Sequence, residues 1–164
     1  MGEIAMAPVM PDQIDMLDSA LRQLAFELGD PYTADPAALA EAVCGPTASC
    51  IALLAIQGAK PVAAVLAAPA FSTSQGGAGI FVSDLWVAES ARGLGLARQL
   101  LAATIREGRS RNAGKFLKLT VYHDSLGARA AYDRLGFIAS TDETNMILTG
   151  AALEALTERA WSQL

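Results

Sequence analysis

Charge is scarce in this chain of 164 residues: Asp, Glu, Lys and Arg make up 18%, against about 25% in an ordinary soluble domain. What charge there is leans acidic, with 17 Asp and Glu against 12 Lys and Arg and a formal net charge of -5. Binding to a nucleic-acid backbone runs on clustered positive charge, so no nucleic-acid partner is expected, and cationic small molecules suit the balance better. There are only two cysteines, Cys44 and Cys50, and one histidine, His123. Two thiols make no disulfide framework, and no Cys or His cluster stands beside them to complete a metal site, so both are read as small buried hydrophobes. The longest apolar run, Val62 to Ala70, is interrupted by Pro69 and falls far short of the ~20 residues of a bilayer-spanning helix. Residues Met1 to Pro8 lack a basic segment followed by an apolar stretch, so no membrane partner is expected and the cytoplasm is the default compartment. Repeats and low-complexity tracts are missing as well, which together with 52% hydrophobic residues excludes the disordered and fibrous classes.

What is present reads as one domain over residues 1–164, long enough to bury roughly 70% of its unfolded surface. From Pro11 to Leu28 the apolar residues Ile14, Leu17, Leu21, Leu24, Phe26 and Leu28 fall mostly at steps of three and four, the stripe of an amphipathic helix ended by Gly29-Asp30-Pro31. A shorter helix is expected from Pro36 to Val43 with Asp35 as its N-cap. Ser49 to Ile56 and Pro61 to Ala68 read as a β-hairpin, and Ile80 to Val87 as a central strand. Gly95 to Arg111 is helical by spacing, Phe116 to Tyr122 alternates like a strand, and Ser125 to Leu135 is helical up to Gly136. A strand from Thr144 to Leu148 and a helix from Gly150 to Ser162 follow. The order gives an α/β (α+β) fold with a mixed, mostly antiparallel central sheet flanked by helices.

Between the central strand and the next helix stands Arg92-Gly93-Leu94-Gly95-Leu96-Ala97. Two glycines let backbone approach a bulky ligand, and the free N–H groups and positive dipole end of a helix suit a diphosphate. A Gly-rich turn can equally be a plain connector. It is not a Walker loop, since no Gly-Lys-Ser or Gly-Lys-Thr follows, and Arg98 stands where a dinucleotide fingerprint needs its third Gly or Ala.

The stretch Asp84-Leu85-Trp86-Val87-Ala88-Glu89-Ser90-Ala91-Arg92-Gly93-Leu94-Gly95-Leu96-Ala97 resembles the acetyl-CoA signature of the GNAT superfamily of N-acetyltransferases, with Arg92, Gly95 and Ala97 at its fixed positions. A second family pattern follows in order: Ala128, Tyr132 and Gly136-Phe137. The resemblance implies central strands splayed in a V. It also implies acetyl-CoA as co-substrate, its diphosphate held by the amides of Arg92, Gly93, Leu94, Gly95, Leu96 and Ala97. The pantetheine arm would lie along Leu85, Trp86 and Val87, the thioester sulfur would face Tyr132, and the developing oxyanion would take the Val87 N–H. Ser125 stands where the family often has an Asn that hydrogen-bonds CoA, and Ala128 belongs to the same cofactor-binding helix. Tyr132 is the candidate proton donor to the leaving thiolate, and Asp84, just upstream of the cofactor-binding strand end, is the candidate base that deprotonates the amine, against a carboxylate satisfied by a helix N-terminus or by an Arg.

Alternation puts Asp84 with Trp86 on one strand face and Ser83, Leu85 and Val87 on the other, barring a bulge. Trp86 reads first as core and second as a cation–π face for an amine. The stretch from Phe71 to Thr73 and from Gly79 to Val87, with the ending from Met146 to Leu153, looks like the spermidine/spermine and thialysine N-acetyltransferase branch, whose Glu-Asp pair is here Ser83-Asp84. Losing half of that pair disfavours a long polyamine and leaves a smaller amine or amino-acid-like acceptor. Glu27, Asp30 and Asp35 are further candidates for an acceptor wall, against solvated helix-end charges. The expected activity is acetyl transfer to the primary amine of a small molecule in a ternary complex, by a homodimer without metal. The alternative is a CoA-binding regulatory or partner-docking domain with little turnover.

Overall fold

A computed structural model describes residues 2–140 and 142–161, which fall into two compact units, Met1–Ser125 and Leu126–Leu164. The first holds a five-stranded sheet in the order β1 (Ile4–Pro8), β2 (Ile51–Gln57), β3 (Lys60–Ser72), β4 (Gly77–Val87) and β5 (Leu117–Leu119). The first three pairings are antiparallel and β4 with β5 is parallel. Three helices belong to this unit: α1 (Ile14–Leu28) after a 3-10 turn at Pro11–Gln13, α2 (Pro36–Cys44) and α3 (Leu96–Ser110).

The helix stripe is narrower than its spacing suggests. Ile14, Leu17, Ala20 and Leu21 are buried, whereas Phe26, two residues out of step with Leu24, is 81% exposed. The buried side of α1 packs with Leu39 of α2 on Ala52, Leu54, Ala64 and Trp86 of the sheet. On the opposite face, α3 closes on β4 through Gly108, where any Cβ would strike the Ile80 side chain. Covered on both faces, β2 is buried from Ile51 to Ala55. Asp35 caps α2, accepting from the Ala37 N–H at 3.1 Å.

Cys44 and Cys50 are half-buried rather than buried; Cys44 ends α2 at the rim of the α1-side core, and Cys50 directly precedes β2. The first strand carried no sequence signal, since Ile-Ala-Met-Ala-Pro has little β-branched alternation. It forms because β2 offers it an antiparallel edge from Gln57 to Leu53.

In β4 the ladder to β3 slips: Leu66 faces Asp84 while Ala67 faces Val82, leaving Ser83 as an extra residue. This β-bulge is pinned by the Ser83 hydroxyl, which donates to the Leu66 carbonyl at 3.1 Å. Pairing with β5 stops at Val82, just before the bulge. That is why β5 spans three residues rather than Phe116 to Tyr122, as a bulge turns the strand out of line with its neighbour.

The second unit holds α4 (Leu126–Leu135) and α5 (Gly150–Trp161). Ser162, where the sequence ends the last helix, lies outside the described residues. The strand expected from Thr144 to Leu148 does not form, and Met146 and Ile147 are 91% and 87% exposed. Met146, Ile147 and Leu148 are three apolar residues in a row without two-faced alternation, and a strand without a ladder partner has no net stabilisation.

The core of the first unit sets a measurable cost. Leu17→Ala, at a side chain with no exposed surface, is expected to lower unfolding free energy by about 2–5 kcal/mol in denaturant titrations. Phe26→Ala should stay within about 0.5 kcal/mol of wild type.

Candidate active site

The chain leaves β4 at Val87, makes a 3-10 turn at Glu89–Ala91 and enters α3 through Arg92-Gly93-Leu94-Gly95. Gly93 and Gly95 have φ of +81° and +76°, a left-handed backbone that other residues adopt only with strain. An added Cβ at Gly93 would meet nothing within 4 Å, so what requires glycine there is the backbone and not crowding. Gly95 is the N-cap of α3 and carries no capping side chain. Among the described residues no protein acceptor takes the amides of Gly93, Leu94, Gly95, Leu96 or Ala97. Buried Leu96 fixes the first turn. Consecutive open amides at a helix start, with no side chain in the way, fit a diphosphate.

The strand leading into this turn is open on one side. The Ala88 N–H donates to the Val62 carbonyl at 2.9 Å, so Val62 and Ala88 form a hydrogen-bonded pair of the antiparallel ladder. Alternation then turns the backbone groups of Trp86 toward β3 and those of Leu85 and Val87 away from it. On that far side β5 has already ended at Leu119. Both backbone groups of Leu85 and the Val87 N–H can therefore pair with an extended chain, whereas the Val87 carbonyl takes the Arg92 guanidinium and the Trp86 backbone is engaged by β3.

Asp84 pairs with Leu66 and Trp86 with Ala64, which puts both side chains on the face covered by α1. Ser83, the bulge residue, is exposed and outside the ladder alternation.

A polar network lies over that face. Glu27 of α1 accepts from Trp86 Nε1 at 3.1 Å and from Gln23 Nε2 at 3.2 Å, and pairs with Arg92 Nη2 at 2.5 Å. Arg92 Nε also donates to the Val87 carbonyl at 3.1 Å. Desolvation works against the Glu27 carboxylate, but the bonds from Trp86, Gln23 and Arg92 outweigh it and hold its carboxyl below the usual range.

Asp18 accepts from Arg22 at 2.6 Å and from the Tyr32 hydroxyl at 2.7 Å, with the Arg22 guanidinium 4.4 Å above the Tyr32 ring. Burial and the Asp18 bond, with a smaller contribution from the Asp84 charge, push the Tyr32 phenol up to about 12. Tyr122, past β5, donates to both carboxylate oxygens of Asp30 at 2.8 and 2.9 Å. Of the acidic candidates, Glu27, Asp30 and Asp35 thus have partners. Asp84 is half-buried and, among the described residues, its carboxylate has no hydrogen bond or ion pair.

Tyr32 and Tyr122 carried no sequence signal, because their pairings with Asp18 and Asp30 span 14 and 92 residues and follow no motif; Arg22 stands one helical turn from Asp18. His123 is exposed. A cavity of about 400 Å³ between β1, β2 and α3, lined by Met6, Leu53, Gln99 and Arg106 among others, includes none of the site residues.

Ser125 is half-buried and closes a turn, its N–H donating to the Tyr122 carbonyl at 3.1 Å, and Ala128 is exposed. On α4, Tyr132 is half-buried and meets Phe137 edge-on with ring centres 5.5 Å apart. Burial raises its phenol pKa, which keeps it a proton donor at neutral pH.

Two measurements follow from these groups. A tyrosine whose phenol is raised on folding binds its proton more tightly when native, so its contribution is complete below pH 10 and is lost as pH climbs to about 12. Denaturant midpoints should fall across that window in the wild type and fall less steeply in Tyr32→Phe. Gly95→Ala, at a left-handed φ, should cost about 1–2 kcal/mol in the same titration.

The model of the GNAT acetyltransferase family matches residues 15–137. No curated protein matches the chain. Among solved structures, an aminoglycoside acetyltransferase from an uncultured soil metagenomic sample is 18% identical with a TM-score of 0.74, covering 90% of this chain and 99% of that one. A predicted acetyltransferase of Clostridium acetobutylicum, solved with acetyl-CoA, is 18% identical with a TM-score of 0.71, covering 89% and 97%. A ribosomal-protein-alanine N-acetyltransferase of Brucella melitensis is also 18% identical, with a TM-score of 0.68 and coverage of 90% and 100%. With a family match over most of its length and the fold of these enzymes, the chain belongs to the GNAT family of acetyltransferases.

Proposed function

We propose that this acetyltransferase moves the acetyl group of acetyl-CoA to the primary amine of a small, cationic molecule by direct attack in a ternary complex. The observation that carries the reading is the row of open amides from Gly93 to Ala97 beside the open backbone groups of Leu85 and the open N–H of Val87. These residues would hold the diphosphate and pantetheine of acetyl-CoA, which supplies the activated acetyl group. That a ribosomal-protein-alanine N-acetyltransferase shares the fold supports nitrogen as the acceptor atom.

An alkyl ammonium with a pKa near ~10.4 is almost wholly protonated at neutral pH, so the amine must lose a proton before it attacks. Asp84 has the free carboxylate for that task on the α1 face. The Val87 N–H, turned away from β3, meets charge building on the acetyl oxygen. Tyr132, carried over on the family's second motif, returns a proton to the leaving thiolate.

The acceptor is small because a long polyamine needs several spaced carboxylates. Glu27, Asp30 and Asp35 have other partners, and Ser83, in place of the acidic residue of the polyamine branch, closes the bulge.

Thiol release with acetyl-CoA and an amine panel tests the reading, and no turnover with any amine would end it. Tyr132→Phe is expected to lower kcat by about 10-fold to 10⁴-fold with a modest change in acetyl-CoA KM. Asp84→Asn should lower kcat by a similar factor of about 10² to 10⁴ at neutral pH. Its rate should recover about tenfold per pH unit as free amine accumulates below the amine pKa.

A further inference from the structure

Glu27 lies outside the signature that marks the family, yet it holds both ends of the turn within that signature. One carboxylate oxygen takes the indole N–H of Trp86 and the other takes the guanidinium of Arg92, and Arg92 reaches back to the Val87 carbonyl. The chain from Trp86 to Arg92 is thereby closed into a loop fastened to α1. An isolated surface ion pair would matter little, since such pairs are worth about 0–1 kcal/mol. Here the geometry is different. The Glu27 side chain keeps only 29% of its surface, the indole belongs to a residue that is 7% exposed, and three donors converge on one carboxylate. With those donors in place both oxygens of Glu27 are engaged.

We infer that Glu27 is a positioning residue for acetyl-CoA. It acts through Arg92 to fix the last peptides of β4 against the amides of residues 93–97, the two stretches on which pantetheine and diphosphate would lie. The inference rests on the acetyl-CoA reading above and assigns an α1 side chain to cofactor affinity rather than to acceptor recognition.

Glu27→Gln keeps an oxygen for the indole N–H and removes the charge that holds Arg92. Its acetyl-CoA KM, and its CoA Kd by titration calorimetry, are expected to rise about tenfold, equivalent to about 1.4 kcal/mol. Amine KM should hold and kcat should stay within about twofold, the split of an interaction made equally in ground and transition states. Because Glu27 acts through Arg92, the double variant Glu27→Gln/Arg92→Gln should bind CoA no more weakly than Arg92→Gln alone.

Additive losses in the double variant would overturn the proposal, as would a lowered melting temperature with unchanged CoA affinity. Tighter CoA binding by Glu27→Gln would also overturn it, since Glu27 would then be withholding Arg92 from the diphosphate. A wild-type protein that binds no CoA refutes the functional reading and this inference together, while wild-type binding equalled by Glu27→Gln refutes this inference alone.

Discussion

The β-bulge at Ser83 is the constraint from which the site follows. One extra residue, held by its hydroxyl on the Leu66 carbonyl, ends the parallel pairing of β4 and leaves the strand bonded to β3 alone from Asp84 onward. A sheet strand with one free side is normally a hazard, because its N–H and C=O groups seek any partner. Here the free side is only a few residues long and leads directly into a turn of open amides. The same unpaired groups that would promote aggregation on a long edge become a short track for an extended ligand, continued by a helix N-terminus for its anionic end. Neither half suffices alone: the strand end gives direction without charge complementarity, and the glycine turn gives charge complementarity without direction.

Above this track the charged groups sort by partner. Asp18, Glu27, Asp30 and Asp35, on α1 and its following loop, are taken up by indole, guanidinium, phenol and backbone donors, and these bonds hold the carboxyls of Asp18 and Glu27 below the usual range. Asp84 is the exception. It stands in the strand that would carry the pantetheine arm and is half-buried without a bonded donor. Low overall charge makes this sorting legible, since few stray ions compete for each partner.

Much of the architecture could be read from residue patterns, because it is written in local periodicity: the stripe from Ile14 to Leu21, the Asp35 cap, the hairpin around Gly58, the strand up to Val87 and the glycine turn. Elements set by neighbours were less readable. Ile4–Pro8 becomes a strand because β2 offers an edge, and Thr144–Leu148 does not because it has none. β5 is cut short by a bulge in a different strand. At the site, Asp84 and the Arg92-to-Ala97 turn were visible in a contiguous motif. The Tyr32–Asp18 and Tyr122–Asp30 pairs were not, since a bond between residues 14 or 92 positions apart leaves no trace in spacing. The bulge was anticipated only as an exception to alternation. It leaves Asp84 with Trp86 and Leu85 with Val87, but takes Ser83 out of the pattern.

Trp86 links these two levels. Its ring fills the core between α1 and the sheet, and large aromatic side chains dominate such packing. Its one polar atom must then find an acceptor, because an unpaired indole N–H in that position would cost about 1–3 kcal/mol. Glu27 satisfies it, and the second oxygen of the same carboxylate is left to hold Arg92. A demand that begins as core packing is thus passed, atom by atom, to the first residue of the glycine turn. That is why a residue of α1, which the sequence offers only as a candidate for an acceptor wall, bears on how firmly the end of β4 and the open amides keep their mutual geometry.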